Sequence, residues 1–279
     1  MKRKLNSKVE ARFTSSNLWN SKIKNDCLQQ KNFLAIRDNR IDIYHKGGKL
    51  FGFDSTGFKT HIKYAAVITS NGHDYLSENQ LALHKLAIDF KTNYTRIKEN
   101  CANYSGIEAA CVSEIYRRHS YLSKSDVVVL DIEVSFASQN TTKKQDRIDI
   151  LLLNKKSKEL QFVEAKHFTN KEIWSTKTPD VVNQIARYEG QVKLRKKQIL
   201  NEYINYITTI NRLFGVHLPK PINIDPKATL LIFGFDNDQK KGRLNKLIVN
   251  NPQYSGIKSY SIGNVKSIKT ENLWNARIL

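Results

Sequence analysis

Two short, nearly unbroken apolar runs, each carrying charge inside it, restrict the fold more than any other feature of the chain. The first is Ile148-Asp149-Ile150-Leu151-Leu152-Leu153 and the second Leu160-Gln161-Phe162-Val163-Glu164-Ala165-Lys166-His167-Phe168, with a polar, lysine-rich turn over residues 154–159 between them. Apolar runs of this length, bounded by turn residues, read as strands with at least one buried face. With a further strand over residues 127–136 they predict a three-strand meander. Upstream, Ile107, Cys111, Val112 and Ile115 recur at helical spacing after Asn103-Tyr104-Ser105-Gly106. Downstream, Thr178-Pro179-Asp180 offers helix-start chemistry, and the stripe Val181, Ile185, Tyr188, Val192, Ile199, Tyr203, Ile207 and Ile210 predicts a long helix ending near Gly215. A loop over 219–226 then leads to an almost wholly apolar strand over 228–235. The order is helix, three strands, helix, strand, which is an α/β arrangement. A last helix over 244–249 and a strand over 257–262 extend it.

The N-terminal part reads differently. Residues 39–45 alternate polar and apolar side chains, reach Lys46-Gly47-Gly48-Lys49, and resume with Leu50-Phe51-Gly52-Phe53, the pattern of a hairpin. A strand-like run over 58–66 follows, and Ser70-Asn71-Gly72-His73-Asp74 is a polar break. Two domains are therefore expected: a small β-rich domain over 1–74 and a second over 75–279, with its core at about 106–235 and a C-terminal extension over 236–279. Residues 77–98, with Leu81, Leu83, Leu86, Ala87 and Phe90, are expected to form a linking helix. Reading substrate, binding a partner and completing a dimer are all open for 1–74.

Lys and Arg number 46 against 26 Asp and Glu, a net charge of +20, so long-range steering concentrates polyanions around the protein. Nucleic acid is the expected polyanion, and Lys155-Lys156-Ser157-Lys158, residues 193–197 and Lys240-Lys241-Gly242-Arg243 are candidate phosphate contacts. An apolar share of 40% excludes wholesale disorder. No apolar run approaches the roughly 18 residues of a membrane span, and the start lacks a signal-peptide core, so the cytoplasm is the expected location. Cys27, Cys101 and Cys111 lack C-x-x-C spacing and read as reduced structural cysteines.

Strand period two puts Glu164 and Lys166 on one face, with Val163 and Ala165 on the other. Asp149 lies on the preceding strand, where hairpin pairing can bring a second carboxylate within metal-bridging distance of Glu164. Carboxylate oxygens suit Mg²⁺ or Mn²⁺, and such an ion lets the pair sit beside a phosphodiester that it would otherwise repel. Lys166 could orient or deprotonate the attacking water, or offset charge in the transition state.

These elements and residues resemble the PD-(D/E)XK nuclease superfamily, whose restriction-endonuclease-like core has the same order of helix, three strands, helix, strand. Glu164-Ala165-Lys166 matches its (D/E)-x-K element, and Asp149 its first acid, although Ile148 stands where the motif has proline. The resemblance implies a metal-dependent nuclease acting on DNA, with Asp149, Glu164 and the Ala165 carbonyl as metal ligands and Lys166 serving the water. Gln184-Ile185-Ala186-Arg187-Tyr188 looks like the Q-x-x-x-Y motif of RecB-like nucleases, with Gln191 one turn further along the helix. Many members complete the metal sphere with an upstream glutamate. Glu108, on the apolar side of the first core helix, is the first choice for it, Glu133 ranks second, and Glu114 shares a solvated stripe with Arg117 and Arg118. Restriction, repair and anti-phage defence all fit, as does a homodimer or association with a helicase, ATPase or other defence subunit. Two further readings stay open: a nucleic-acid-binding module whose acids no longer act, and an RNA-directed nuclease.

Overall fold

The computed structural model describes residues 1–68, 84–136, 147–175 and 179–279. It is mixed α/β and divides into two compact units, Lys4–Ser113 and Met1–Arg3 with Glu114–Leu279. The division differs from the expected one: residues 84–113 group with the N-terminal unit, and Met1–Arg3 with the C-terminal one.

The Lys4–Ser113 unit begins with helix, where none was expected. Helix α1 (Ser7–Ser15) is capped by the Asn6 side chain accepting from Val9 N at 2.8 Å. A π-helical turn (Trp19–Ile23) and α2 (Lys24–Leu28) follow. Strands β1 (Phe33–Arg37), β2 (Arg40–His45), β3 (Gly48–Asp54) and β4 (Gly57–Lys59) then form an antiparallel sheet in sequence order. The expected hairpin is β2–β3, turning through Lys46 (φ 45°) and Gly47 (φ 89°). Gly47 is constrained twice, since a Cβ there would also lie 2.5 Å from the Ala109 backbone. Phe13 holds the helices to the sheet, its ring 4.6 Å from that of Trp19 and 5.1 Å from that of Phe53.

The strand expected over 58–66 stops at Lys59. His61 accepts from Lys63 N and starts a helical turn, α3 (Ile62–Ala65), before β5 (Ala66–Ile68) pairs antiparallel with β6 (His84–Leu86). The linking helix expected over 77–98 is thereby corrected where it is seen: 84–86 is a strand, and α4 runs over Tyr94–Asn103. Residues 77–83 of that helix, and the polar break at 70–74, lie outside the described residues.

A buried polar network crosses this unit. Asp26 Oδ2 accepts from Tyr94 OH at 2.8 Å and from Lys98 Nζ at 2.5 Å, Asn32 Nδ2 donates to Tyr94 OH at 2.7 Å, and His45 Nδ1 donates to Asn32 Oδ1 at 3.0 Å. Burial, reinforced by the Lys98 charge, pulls the His45 pKa from 6.5 down to about 4. Between those values the unfolded chain binds the extra proton, so stability falls as pH falls through that window, by about 3 kcal/mol in total. Urea unfolding followed at pH 7 and pH 4 is expected to show the loss. In His45→Gln the part of the pH slope due to this group should vanish; an unchanged slope would exonerate His45.

The second unit is built on a seven-stranded sheet among the described residues. After α5 (Ile107–Arg118), which enters it from the first unit, come β7 (Val127–Ser135), β8 (Arg147–Asn154) and β9 (Glu159–His167), an antiparallel meander. Helix α6 (Asp180–Phe214) crosses over with its buried stripe at Val181, Ile185, Tyr188, Val192, Ile199, Tyr203, Ile207 and Ile210, and ends at Gly215 in the left-handed region (φ 67°). Arg195 leaves helical geometry and kinks it. Strands β10 (Asn223–Ile224) and β11 (Thr229–Phe233) then pair parallel with β9. Residues β11 contributes to the sheet are all buried, as strands covered on both faces require. In the extension, α7 (Asn237–Gln239) runs into a π-helical segment (Lys240–Val249), β12 (Lys258–Ile262) pairs parallel with β11, and α8 (Thr270–Trp274) precedes β13 (Arg277–Ile278). No helix among the described residues is long and apolar enough to cross a membrane.

Candidate active site

Asp149, Glu164 and Lys166 meet where β8 and β9 part. Their ladder ends at Ile150 paired with Val163, which sets Asp149 and Glu164 at the next level of adjacent strands. Instead of continuing the main-chain ladder, the Asp149 carboxylate accepts from Ala165 N at 2.8 Å. That bond ties the first acid to the backbone of Ala165, the residue between Glu164 and Lys166 in the second strand. Val163 and Ala165 are fully buried on the opposite face, as strand alternation demands. Glu164 and Lys166 are only 2% and 5% exposed. Charges so deeply placed need partners, and Lys166 Nζ lies 2.9 Å from Glu164 Oε1 and 2.5 Å from Glu172 Oε2. Burial alone would lower the lysine pKa, but the two carboxylates outweigh it and hold the group above the usual lysine range.

The Gln184 and Tyr188 pair is tied to the strand that carries Asp149. Gln184 Nε2 donates to Tyr188 OH at 2.5 Å, and Tyr188 OH donates to the Arg147 carbonyl at 2.6 Å. Tyr188 is fully buried, so the phenol fixes the first turns of α6 to the start of β8, two residues before Asp149. Gln191 lies one turn further along, with its Oε1 buried and lacking a hydrogen bond. Glu164 and Lys166 sit near the C-terminal end of β9, and β11 runs parallel to it. In open α/β sheets that end is where ligands are received. Just beyond it, Gly234 (φ 84°) lets β11 turn away beneath the His167 ring, which a Cβ there would strike.

The candidate upstream glutamates fare differently. Glu133 has φ 52°, a left-handed conformation costing about 1–2 kcal/mol, and its carboxylate is 2.7 Å from Arg147 Nε. Register pairs Ile132 with Ile150 and Val134 with Ile148, which bracket Glu133 and Asp149 at one level of neighbouring strands. Glu114 pairs with Arg117 and Arg118, as its stripe suggested. Glu108 is in the first turn of α5 and belongs to the Lys4–Ser113 unit. Among the described residues no group of three or more His, Cys, Asp and Glu side chains is placed to hold a metal ion. Asp149, Glu164 and the Ala165 carbonyl are instead an oxygen-only set with two carboxylates, which fits Mg²⁺ or Mn²⁺ because such ions keep several waters and need only one or two protein carboxylates.

Sequence reasoning missed Glu172, which sits in a three-residue 3₁₀ turn (Lys171–Ile173) and has no periodic signal. It also missed the stacking of the Arg243 guanidinium on Trp174, 4.0 Å from the ring centroid. That contact sets one of the three basic runs beside the turn carrying Glu172. The Lys155-Lys156-Ser157-Lys158 run, by contrast, follows Asn154, the far end of β8 from Asp149 and about 17 Å away along the strand. It does not flank the acids; Lys156 pairs there with Asp126 at 2.6 Å. Comparison with protein-family models, with curated proteins and with solved structures gave no match for this chain.

Proposed function

We propose that the chain is a divalent-metal-dependent nuclease that hydrolyses DNA phosphodiester bonds, with a core of the PD-(D/E)XK type. The observation that carries the reading is the bond from Ala165 N to Asp149, which locks the first acid into the Glu164-Ala165-Lys166 element, while Tyr188 ties the same strand to Gln184. Two separate hydrogen bonds thus meet the start of β8, one at Asp149 from β9 and one at the Arg147 carbonyl from α6, and both support the reading. The order α5, β7, β8, β9, α6, β11 supports the same reading.

Asp149 and Glu164, with the Ala165 carbonyl, would hold the ion. The chemistry such an ion would supply there is charge neutralisation at the phosphate and a lowered water pKa. The remaining work belongs to the protein. Lys166 presents an ammonium beside Glu164, where it can orient the attacking water and stabilise charge developing on the phosphoryl oxygens. Tyr188 and Gln184 keep β8 in place so that Asp149 does not drift from its level on the sheet. The net charge of +20 draws the polyanion in.

Purified protein is expected to nick or degrade DNA with Mg²⁺ or Mn²⁺ and to be inert in chelator, with RNA run alongside as substrate. Cutting that persists in chelator would overturn the mechanism. Salt-sensitive DNA binding with no cutting under any metal would favour a binding module built on the same fold.

A further inference from the structure

Lys166 is held between two carboxylates of unequal exposure. Glu164 is 3% exposed at its side chain and belongs to β9, a strand paired on both sides by β8 and β11. Its partner on the other side, Glu172, has a side chain 45% exposed. The main chain beneath Glu172 is nevertheless well fixed. Asn170 Oδ1 accepts from Glu172 N at 3.0 Å, Tyr254 OH donates to the Ile173 carbonyl at 3.0 Å, and Trp174 Nε1 donates to the Phe168 carbonyl at 2.7 Å. Ile173, between them, is fully buried. The Glu172 oxygen that faces Lys166, Oε2, is buried although the side chain as a whole is half-exposed, so releasing Lys166 takes a rotamer change that lifts this oxygen out, with the turn left in place.

Of the two carboxylates paired with Lys166, only Glu172 reaches solvent, so its position is the one that a phosphodiester from solvent can take over. A carboxylate oxygen and a phosphoryl oxygen make the same charge-assisted bond to an ammonium, at about 2.7–2.9 Å. We infer that the Glu172 carboxylate fills the phosphoryl-oxygen subsite of Lys166 while substrate is absent, and that a DNA phosphate must displace it to bind. Glu172 is thus a specificity-determining residue. A weakly held anion fails against a tethered competitor that is always present, whereas a polyanion anchored by several other cations succeeds. The inference rests on the nuclease reading for the identity of the ligand.

The test is DNA affinity in chelator, measured by anisotropy on a short labelled duplex, for wild type, Glu172→Gln, Lys166→Met and the double variant. Glu172→Gln is expected to bind about tenfold tighter than wild type, which corresponds to about 1.4 kcal/mol. In the Lys166→Met background most of that gain should disappear. Independently of whether Lys166→Met folds, the salt dependence of Glu172→Gln binding should steepen by about one phosphate contact, a slope change near 0.9. Equal gains in both backgrounds, an unchanged slope, or weaker binding by Glu172→Gln would overturn the inference. Wild-type protein that binds the duplex but never cuts it with metal would overturn the nuclease reading and leave the subsite inference standing on the affinity result. Failure of every variant to bind DNA would overturn both.

Discussion

Asp149→Ala and Glu164→Gln proteins are expected to fold and to lose metal-dependent DNA cleavage by at least roughly a thousandfold, the scale on which removing transition-state charge stabilisation acts. Asp149→Ala deprives the Ala165 amide of its acceptor, at a stability cost of about 1–3 kcal/mol, which a domain worth 5–15 kcal/mol survives. Glu164→Gln keeps the shape of the buried side chain beside Lys166, so the substitution reports on charge rather than packing. Lys166→Ala should cost on the order of a hundredfold or more. Cleavage assays with circular dichroism melts on the same preparations decide the matter. Wild-type rates in both acid variants, with contaminating nuclease excluded, would mean that the carboxylates have been misassigned.

The largest stability effect is expected away from the acids. Arg3 Nε lies 2.8 Å from Asp131 Oδ2, with the two side chains 5% and 0% exposed, and Tyr203 OH donates to the same oxygen at 2.9 Å. Arg3→Ala leaves the Asp131 carboxylate in a desolvated place without that guanidinium, and breaking a buried pair on one side costs about 3–5 kcal/mol. For a unit of this size that lowers the melting temperature by about 10 °C or more. Calorimetry on Arg3→Ala and on Arg3→Ala with Asp131→Asn should show the single variant as the worse of the two, since the second change removes the stranded charge. A shift of only a degree or two in Arg3→Ala would show that the pair contributes little.

How much of this could be seen in the sequence follows from where each signal comes from. The meander was legible because Leu151, Leu152, Leu153, Phe162 and Val163 are core residues in short runs, with turn residues marking the ends. Helix α6 was legible for its long buried stripe and for Gly215. Helix α1 was not: only Val9 and Phe13 of it are buried, too few to establish a period. Residues 58–66 read as a strand because a short mixed segment looks alike in either geometry, and the turn is decided by His61 reaching the Lys63 amide. At the site, strand alternation placed Glu164 and Lys166 on one face, and helical spacing placed Gln184 next to Tyr188. The Asp149 bond to Ala165 N arises only because two strands separate at that level, and the Glu172 pairing only because a loop returns across the strand end. Neither depends on local sequence pattern.

The position of Arg3 bears on how the molecule assembles. Its bond to Asp131 joins residues 128 apart, and its amide bond to Glu202 joins residues 199 apart. Closing a flexible loop of the first length would be slow, because the entropy of ring closure must be met before the contact returns anything. The loop, however, contains the whole Lys4–Ser113 unit, whose own contacts are shorter in range. Once that unit has folded, its ends are fixed in space and the search left to Arg3 shrinks to that of a short tether. Substitutions in the Phe13, Trp19 and Phe53 cluster should therefore slow completion of the other unit, a coupling that operates through chain connectivity and needs no contact between the two.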